Sequence, residues 1–441
     1  MAHILMLCHD QSLDRRVVAQ AATLIGQGHS VHLLALSFDG ETTNELMPEG
    51  IQLTRIGLNH IVPENSIYKA YVIRQHRLSD LFTRAANRYS RRVGGFQRIF
   101  NCASRLNWNL YKTLLLARYH NVALHDPLPF RQAFVSHGLA HPSDLVQVHD
   151  LPALEAGAEL AGAWNVPLVY DAHELYPEQK SFSWAQRRIC SQAEARLIKK
   201  ANLVFAVNES IGDEMARRYR IPKPVTLLNA LDPPVEFDPE ARYDLLREKL
   251  SLPVQRRILL FQGGFAPHRN LEALVEAMAY VRASDVDLVM MGFGTFGDLL
   301  KAKAARLKLL GSRVHFLPAV AQSELLQHSA SADIGIIPYP HVDLNSYYCT
   351  PNKLFEFIQA GLPILANDSP ELNRFVRVNK FGSSAKMTNP RKIALAIDSA
   401  FSSGDFSEWR SNIKCGRSKF AWRGQGDIYI SSVSRVLGTF R

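Results

Sequence analysis

Cysteine is scarce in this 441-residue sequence, and its five copies are far apart. They show neither the CxxC spacing of a structural zinc site nor the framework of a disulfide-bonded secreted domain: Cys8, Cys102, Cys190, Cys349 and Cys415. Free cysteines at irregular spacing are typical of proteins in a reducing compartment. We therefore expect a cytoplasmic protein without structural zinc.

Long hydrophobic runs are missing as well. The N-terminal stretch MAHILMLCHD has no basic n-region, and its apolar run is much shorter than a signal peptide requires. No uninterrupted apolar stretch elsewhere reaches the roughly 18 residues of a membrane-spanning helix. With 47% hydrophobic and 21% charged residues the composition is globular, and the length predicts at least two domains.

Acidic residues are almost absent from residues 69–118, where Asp80 is opposed by eleven lysines and arginines. This excess equals the net charge of +10 of the whole chain. The segment is also rich in aromatic and aliphatic residues, so it predicts basic helices at an anionic membrane surface, on the inner face, or at a lipid-linked substrate. A solvated basic face is an equal alternative. Nucleic-acid binding is not expected, because no recognised nucleic-acid module is present.

Short apolar strands alternate with helices in both halves of the sequence. The chain opens with a strand at 3–7, a helix at about 14–27 and a strand in GHSVHLLAL, and the alternation resumes at DLVQVHD after a basic insertion at about 59–126. It stops at LDPPVEFDPEARYD and begins again at RRILLFQGG. Such alternation predicts parallel sheets covered on both faces.

The pattern predicts an α/β chain with two doubly wound, Rossmann-like domains that face a cleft. We expect the first domain at 1–230, a linker at 231–256, the second domain at 257–415 and a C-terminal helix at 416–441. Ligands of such sheets bind outside the carboxyl ends of the strands. Residues at those ends are therefore candidates for a functional site.

The segment TPNKLFEFIQAGLP has the signals of a helix start and a helix stop. Thr350 is a suitable N-cap, Pro351 suits the first helical position, and Gly361 ends the helix. The pattern therefore predicts a helix at 351–360.

Lys353 and Glu356 lie within one turn of each other on this helix. A lysine near a helix N-terminus is slightly unfavourable unless an anion such as a phosphate binds there. A carboxylate one turn further along can accept hydrogen bonds from the two vicinal hydroxyls of a ribose. A surface Lys–Glu pair, worth a few tenths of a kcal/mol, is the alternative interpretation.

Several segments in this order resemble the glycosyltransferases of the GT-B fold, closest to family 4, the retaining enzymes that use nucleotide sugars. They are GHSVHLLA, VHDLPALEAG, PLVYDAHELYPE, ANLVFAVNES, LLFQGGFAPHRNLEALVEAM, MMGFG and PNKLFEFIQAGLPILANDSPEL. The resemblance implies transfer from a nucleoside diphosphate sugar to a hydroxyl acceptor, such as a lipid-linked glycan or a polysaccharide precursor. It implies an acceptor-binding first domain, a donor-binding second domain, closure of the cleft over the donor, and a last helix that packs back on the first domain through Trp422.

The resemblance also assigns roles in the second domain. Glu356 matches the family's ribose-binding glutamate, and Arg269 and Lys353 are the expected diphosphate-binding pair. Tyr348 stands where relatives have a glutamate that touches the donor sugar, so that contact is left to neighbouring groups. Further candidates are Gly263, Gly264, Phe293, Gly294 and Asn352 for the nucleotide, and Asn229, Asn345 and Ser346 for the cleft.

In the first domain, DQSLDRRV replaces the family's Gly-Gly acceptor loop and puts Asp14 and Arg15 at a strand-to-helix turn. His149 matches a histidine that contacts the donor sugar from across the cleft. The next strand ends in His173 and Glu174, which we expect at the donor sugar or the acceptor. The expected catalytic residues are His149, Arg269, Lys353 and Glu356.

Metal binding has only a weak signal. The DxD formed by Asp285 and Asp287 opens a strand, and a strand edge is the simpler interpretation, so neither a metal nor another cofactor is expected. Two other functions stay open. One is an epimerase or phosphorylase of the same fold, and the other is a non-catalytic protein that binds a sugar nucleotide or a membrane, because Tyr348 and the absent Gly-Gly loop depart from the family pattern.

Overall fold

The apolar runs of the sequence form two sheets of mainly parallel strands, as expected from their alternation with helices. The computed structural model describes residues 1–37, 40–57, 66–88, 93–119, 130–180 and 182–440. Predictions for the remaining residues, including part of the basic insertion, lie outside the described residues. The predicted fold class, two doubly wound α/β units with a C-terminal helix, is confirmed.

The first sheet has eight strands in the order β3-β4-β2-β1-β5-β6-β7-β8, and its one antiparallel pair joins β3 to β4. Every residue of the central strands β5 and β6 is buried, which explains their continuous apolar runs. The strand bounds are β1 (His3–Cys8), β2 (Ser30–Ser37), β3 (Thr43–Leu46), β4 (Gln52–Gly57), β5 (Leu145–His149), β6 (Leu168–Ala172), β7 (Leu203–Ala206) and β8 (Val225–Thr226).

Helices cover both faces of this sheet, and two long ones, α2 and α3, come from the basic segment. Their bounds are α1 (Arg15–Gly26), α2 (Ser66–Arg88), α3 (Val93–Tyr119), α4 (Phe130–Gly138), α5 (Asp150–Trp164), α6 (Trp184–Leu197) and α7 (Glu209–Tyr219). Short 3-10 turns lie at Tyr176–Glu178 and Ile198–Lys200.

The second sheet has six parallel strands in the order β11-β10-β9-β12-β13-β14. Its strands are β9 (Arg257–Gln262), β10 (Val286–Gly292), β11 (Val314–Pro318), β12 (Ile334–Ile337), β13 (Ile364–Asn367) and β14 (Gly382–Ala385). The helices of this half are α8 (Leu245–Leu250), α9 (Leu271–Ala277), α10 (Phe296–Arg306), α11 (Leu325–Ala330), α12 (Leu344–Tyr348), α13 (Asn352–Gln359), α14 (Pro370–Val376), α15 (Pro390–Ser402), α16 (Phe406–Gly416) and α17 (Trp422–Phe440).

Helix α13 begins one residue later than predicted. Pro351 is its N-cap, so the prediction of Thr350 as N-cap is wrong. The Thr350 hydroxyl instead accepts a hydrogen bond of 3.2 Å from Asn208, which belongs to the first half of the chain. Gly361 follows the helix with φ +71°, a left-handed conformation that a glycine adopts without strain and that ends the helix as predicted.

Helix α17 crosses back onto the first sheet, as the resemblance implied. Trp422 lies in the core cluster that α1 shares with strands of this sheet, and its indole donates a hydrogen bond of 3.0 Å to Thr23. Tyr429 and Val433 are fully buried about two and three turns further along the same face. The last helix therefore ties the end of the chain to its beginning.

Helices α2 and α3 pack together and leave apolar side chains in water. Tyr71 stacks on Tyr111 at 4.6 Å, while Ile99, Leu106 and Leu110 are exposed on the outside of the pair. Within the described ranges, none of the helices combines the length and the hydropathy that a membrane span requires.

Candidate functional site

Two cavities lie side by side at the carboxyl ends of the strands, and Asn352 borders both. The cationic cavity, of about 420 Å³, is formed by the second half of the chain and includes Gly263, Gly264, Arg269, Phe293, Lys353 and Glu356. The acidic cavity, of about 410 Å³, is formed mainly by the first half and includes Asp10, Asp14, Asp150, His173, Glu174 and Asn229. Both volumes are within the range of small-ligand sites.

Glu356 connects the two halves of the chain. Its Oε1 accepts a hydrogen bond of 2.7 Å from Arg15 at the start of α1, and its Oε2 accepts one of 2.6 Å from Gln262 at the end of β9. Arg15 also donates to the backbone carbonyls of Asn229 and Asn352, both at 3.3 Å. The interpretation as a surface Lys–Glu pair is wrong, because Glu356 is 8% exposed and pairs with an arginine from across the cleft.

Lys353 is a buried lysine that forms no salt bridge with an acidic side chain in the described ranges. The residue is 5% exposed, and its Nζ has no hydrogen-bond partner among the described residues. The ammonium lies 3.6 Å from the ring centre of Phe261 and 4.9 Å from that of Tyr339. Burial, followed by the charge of Arg269, holds the Lys353 pKa well below its usual range. An anion bound beside Nζ would oppose both effects.

Arg269 and a glycine turn complete the cationic side. The Arg269 guanidinium donates a 2.9 Å hydrogen bond to the Gly264 carbonyl and lies 5.5 Å from the Tyr339 ring. Gly263 has φ +114°, and a Cβ there would lie 3.5 Å from the Lys353 Nζ. This distance is an ordinary van der Waals contact, so the positive φ, and not a lack of space, favours glycine at this position. Phe293 is 67% exposed and stands at the rim.

Arg269 lies just before the start of α9. Asn270, with φ +64°, precedes α9, so Arg269 lies in the loop before the helix. A loop position lets its guanidinium turn back toward Gly264. Gly294 also has a positive φ, of +120°, and lies against the backbone of Phe265. It does not line the cationic cavity.

The acidic cavity combines ends of several elements. Asp14 is the N-cap of α1, and its Oδ1 accepts the Arg16 backbone N–H at 2.8 Å. Glu174 accepts a 2.6 Å hydrogen bond from Asn345, and the Asp150 Oδ1 accepts the His173 backbone N–H at 2.9 Å. These bonds fix three carboxylates around one space.

The pKa values of Asp150 and His173 are both raised, and each group affects the other. Burial raises the pKa of Asp150 to about 8, and the neighbouring Glu174 and Asp10 act in the same direction. Burial lowers the pKa of His173, but Asp150 and Asp171 outweigh it and raise the value to about 9. Asp150 also has φ +59°, in the left-handed region that aspartate adopts uncommonly. Residues with such strained backbone are often found at functional sites.

A buried ion pair supports His173 from below. Asp171 is fully buried and accepts hydrogen bonds from Arg16 at 2.9 Å and from Gln20 at 2.6 Å. The His173 Nε2 lies 3.1 Å from the same carboxylate. Although burial raises its pKa, Arg16 and the two neighbouring histidines hold the Asp171 pKa well below its usual range.

His149 lies behind His173 and lines neither cavity. It is 1% exposed, and its Nδ1 is 3.2 Å from the His173 Nε2. Its other nitrogen contacts Gln147, which accepts a hydrogen bond of 2.6 Å from Tyr429 of α17. This geometry favours a role in positioning His173, and a direct sugar contact by His149 stays a prediction.

The ligand atoms of His149, Asp171 and His173 are close enough together to hold a metal ion. The donor set does not fit one. Asp171 is already bound by Arg16 and Gln20, and a divalent cation there would lie against the Arg16 guanidinium. The DxD does not fit one either, because Asp285 pairs with Arg257 and Asp287 with Arg256.

The residues around Tyr348 lie at the junction of the two halves. Tyr348 packs against the first core, and its carbonyl accepts a 2.7 Å hydrogen bond from Asn208. Asn345 bonds to Glu174 and to the Leu175 backbone, whereas the Ser346 hydroxyl bonds to Asp343. Tyr348 therefore does not line the cationic cavity.

Sequence reasoning missed four residues of the site: Asp150, Asp171, Gln262 and Tyr339. The first two are charged residues at the ends of otherwise apolar strands, a signal that is visible in the sequence. Gln262 and Tyr339 become important only through contacts with Glu356, Arg269 and Lys353, for which no local pattern exists.

Comparison with known proteins gives matches over both halves. A model of the glycosyl transferase 4-like domain matches residues 13–230, and a model of glycosyl transferases group 1 matches residues 256–403. The D-inositol 3-phosphate glycosyltransferase of Xylanimonas cellulosilytica is 26% identical over 211 residues, 44% of this chain and 50% of that protein. The enzyme of the same name from Nocardioides is 25% identical over 283 residues, 58% of each chain. The chain thus spans about half the length of the curated relatives it matches.

Solved structures show the same fold. Sucrose-phosphate synthase from Thermosynechococcus elongatus has a TM-score of 0.68 at 17% identity and covers 100% of both chains. Anabaena HepE, solved with UDP and glucose, has a TM-score of 0.62 at 16% identity and covers 99% of this chain and 100% of its own. With two family models that together match most of its length and a fold shared with these structures, the chain belongs to the GT-B glycosyltransferases.

Proposed function

We propose that this protein transfers a sugar from a nucleoside diphosphate sugar to a hydroxyl acceptor, with retention at the anomeric carbon. The observation that carries the proposal is the buried Lys353 ammonium without a hydrogen-bond partner in the described chain, beside Arg269 and a glycine turn. A buried unpaired charge is costly for a folded protein. A bound diphosphate would neutralise it.

The donor's diphosphate is placed between Lys353 and Arg269, and its ribose at Glu356. Each carboxylate oxygen of Glu356 accepts one hydrogen bond within the protein and has a further lone pair for a ribose hydroxyl. Arg15 and Gln262 hold the carboxylate in one orientation. HepE, whose fold is similar, was solved with UDP and with UDP-glucose, which supports a uridine nucleotide as the first donor to test.

In the proposed step, the bond between the anomeric carbon and the phosphate oxygen breaks, and a bond to the acceptor oxygen forms on the same face. The proton of the acceptor hydroxyl passes to the departing phosphate. Lys353 and Arg269 stabilise the negative charge that develops on this leaving group. These cations supply what a metal would supply, so we propose that neither a metal nor another cofactor is required.

A thermal-shift panel with UDP, GDP, ADP and their glucose conjugates tests the donor site. Ligand binding raises the melting temperature according to RT ln(1 + [L]/Kd), so at least one nucleotide should stabilise the protein. The same nucleotide should stabilise Lys353→Met much less. No stabilisation by any diphosphate, or equal stabilisation of both proteins, would contradict the assignment.

A non-catalytic role is the second candidate, because Tyr348 packs on the first core and not in the cationic cavity. Release of UDP from UDP-glucose separates the two roles. Binding of UDP-glucose without release of UDP, whichever hydroxyl acceptor is added, would show the non-catalytic role. The same assay distinguishes an epimerase or a phosphorylase by its products.

We also propose peripheral contact with an anionic membrane through α2 and α3. The exposed side chains of α3 include the apolar Ile99, Leu106 and Leu110 and the basic Arg98 and Arg105. This supports a membrane-proximal, lipid-linked acceptor used in polysaccharide assembly in the cytoplasm. Flotation with phosphatidylglycerol vesicles should carry the protein, whereas Arg98→Glu/Arg105→Glu should weaken the binding. Equal flotation with phosphatidylcholine vesicles would contradict an electrostatic contact.

We propose that the chain is divided into an acceptor-binding unit and a donor-binding unit. The first unit comprises residues 1–230 and binds the acceptor, and the second unit comprises residues 257–415 and binds the donor. Residues 231–256 form the linker between them, and residues 416–441 return to the first unit. We further propose that the two units close over the donor. Small-angle scattering with and without UDP should show a smaller radius of gyration in its presence, and an unchanged radius would count against closure.

A further inference from the structure

The acidic cavity has a charge pattern that restricts what can enter it. Four of its lining residues are carboxylic acids, Asp10, Asp14, Asp150 and Glu174, and no lysine or arginine lines it among the described residues. The Arg15 guanidinium, which also contacts the backbone carbonyls of Asn229 and Asn352, is paired with Glu356. The potential inside the cavity is therefore negative.

Protonation does not remove this negative potential. Burial raises the pKa of Asp150, and Asp150 and Asp171 raise the pKa of His173 in spite of its burial, so protonation concerns these two linked groups. Beyond this pair, three further carboxylic acids, Asp10, Asp14 and Glu174, line the cavity, and no lysine or arginine does so among the described residues. The neighbouring acids Glu174 and Asp10 contribute to the raised Asp150 pKa, as expected in a negative potential.

The side-chain oxygen of Asn229 in the wall of the acidic cavity indicates a ligand that forms hydrogen bonds. Asn229 is only 9% exposed, lines the acidic cavity, and its Oδ1 has no hydrogen-bond partner in the part of the chain that the structure describes. Its Nδ2 donates to Asn352, which borders the cationic cavity as well. The unpartnered acceptor therefore lies next to the proposed donor site.

We propose that the acidic cavity receives the acceptor as a polyhydroxylated ring without a phosphate or carboxylate group. Ring hydroxyls would donate to the carboxylates and to the Asn229 Oδ1, and an anionic substituent would be repelled by Asp10, Asp14 and Glu174. A lipid-linked acceptor meets this condition when its phosphates lie outside the cavity. The inference rests on the proposed transferase function. It separates this protein from relatives that are named for an inositol 3-phosphate acceptor.

Saturation-transfer NMR on the full-length protein with UDP tests this inference. The probes are two pairs that differ only in a phosphate, glucose with glucose 6-phosphate and myo-inositol with myo-inositol 3-phosphate. The UDP signals report separately on the donor site, so their loss would indicate failure of the proposed function rather than of the acceptor assignment. We expect the neutral member of at least one pair to bind about tenfold more tightly or better, a difference of about 1.4 kcal/mol.

The variant Asp10→Asn/Asp14→Asn sharpens the test, because asparagine at position 14 can still cap α1. It should raise the affinity for the phosphorylated member of each pair and leave the UDP signals in place. Equal or tighter binding of the phosphorylated member by the unmodified protein would overturn the proposal. So would binding of neither member while UDP is bound.

Discussion

The two cavities treat buried charge in opposite ways. Behind the acidic cavity, Asp171 is fully buried but held by Arg16, Gln20 and His173. In the cationic cavity, Lys353 is almost as deeply buried and has no hydrogen-bond partner among the described residues. We infer that the partnered Asp171 stabilises the fold, whereas the unpartnered Lys353 binds a ligand.

Removing the compensated charge should have the largest effect, and on stability. Asp171→Asn leaves the Arg16 guanidinium buried without its counter-ion, so we expect a loss of about 3–5 kcal/mol in the free energy of unfolding. Urea denaturation measures it. Asp285→Asn, at a partly exposed pair with Arg257, is the control and should change stability by about 1 kcal/mol or less. Similar losses in both variants would mean that burial of the pair is unimportant.

Removing the uncompensated charge should instead affect function. Lys353→Met keeps the length and apolar contacts of the side chain, so stability should stay equal or rise. Transfer activity should fall about 10²–10³-fold, because one preorganised positive group at the leaving phosphate is lost. The measurements are kcat/KM and the melting temperature without ligand. Lys301→Met, at a lysine near the Phe316 ring, is the matched control. A strongly destabilised Lys353→Met would contradict the comparison.

The contact between the two cavities should give an intermediate effect. Glu356→Gln weakens the hydrogen bonds to Arg15 and to the proposed ribose, and bonds to a charged group contribute about 1.5–3 kcal/mol each. We therefore expect UDP to bind about 10- to 100-fold more weakly by calorimetry. Glu276→Gln, which removes a salt bridge to Lys303 away from the cleft, should leave the UDP affinity unchanged. An unchanged affinity in Glu356→Gln would remove Glu356 from the donor site.

Much of this arrangement follows from the sequence because its signals are local. The order of strands and helices could be predicted from apolar periodicity. The place of Lys353, Glu356, His173 and Glu174 at a cavity could be predicted because helix starts and strand ends have local sequence signals. The pairing of Arg15 with Glu356 joins positions 341 residues apart and has no local signal. The prediction of Thr350 as the N-cap of α13 is wrong for a similar reason, because Asn208, 142 residues away in the sequence, donates a hydrogen bond to the Thr350 hydroxyl.

The smallest expected effect is the pH dependence at His173. Its pKa is raised from 6.5 to about 9 in the folded protein, so its contribution to stability is fully present below about pH 6.5 and is lost as the pH rises through 9. The difference in unfolding free energy between the unmodified protein and His173→Gln should shrink over this range. Chemical denaturation at several pH values measures it. A difference that stays constant or grows would show that His173 is not held as an imidazolium.

A crystal structure of the protein with UDP tests the division between the two cavities most directly. We predict that the diphosphate lies within hydrogen-bond distance of the Lys353 Nζ and the Arg269 guanidinium, with the ribose hydroxyls on Glu356 and the acidic cavity free of phosphate. A diphosphate bound among Asp10, Asp14 and Glu174, with Lys353 still unpartnered, would contradict the account.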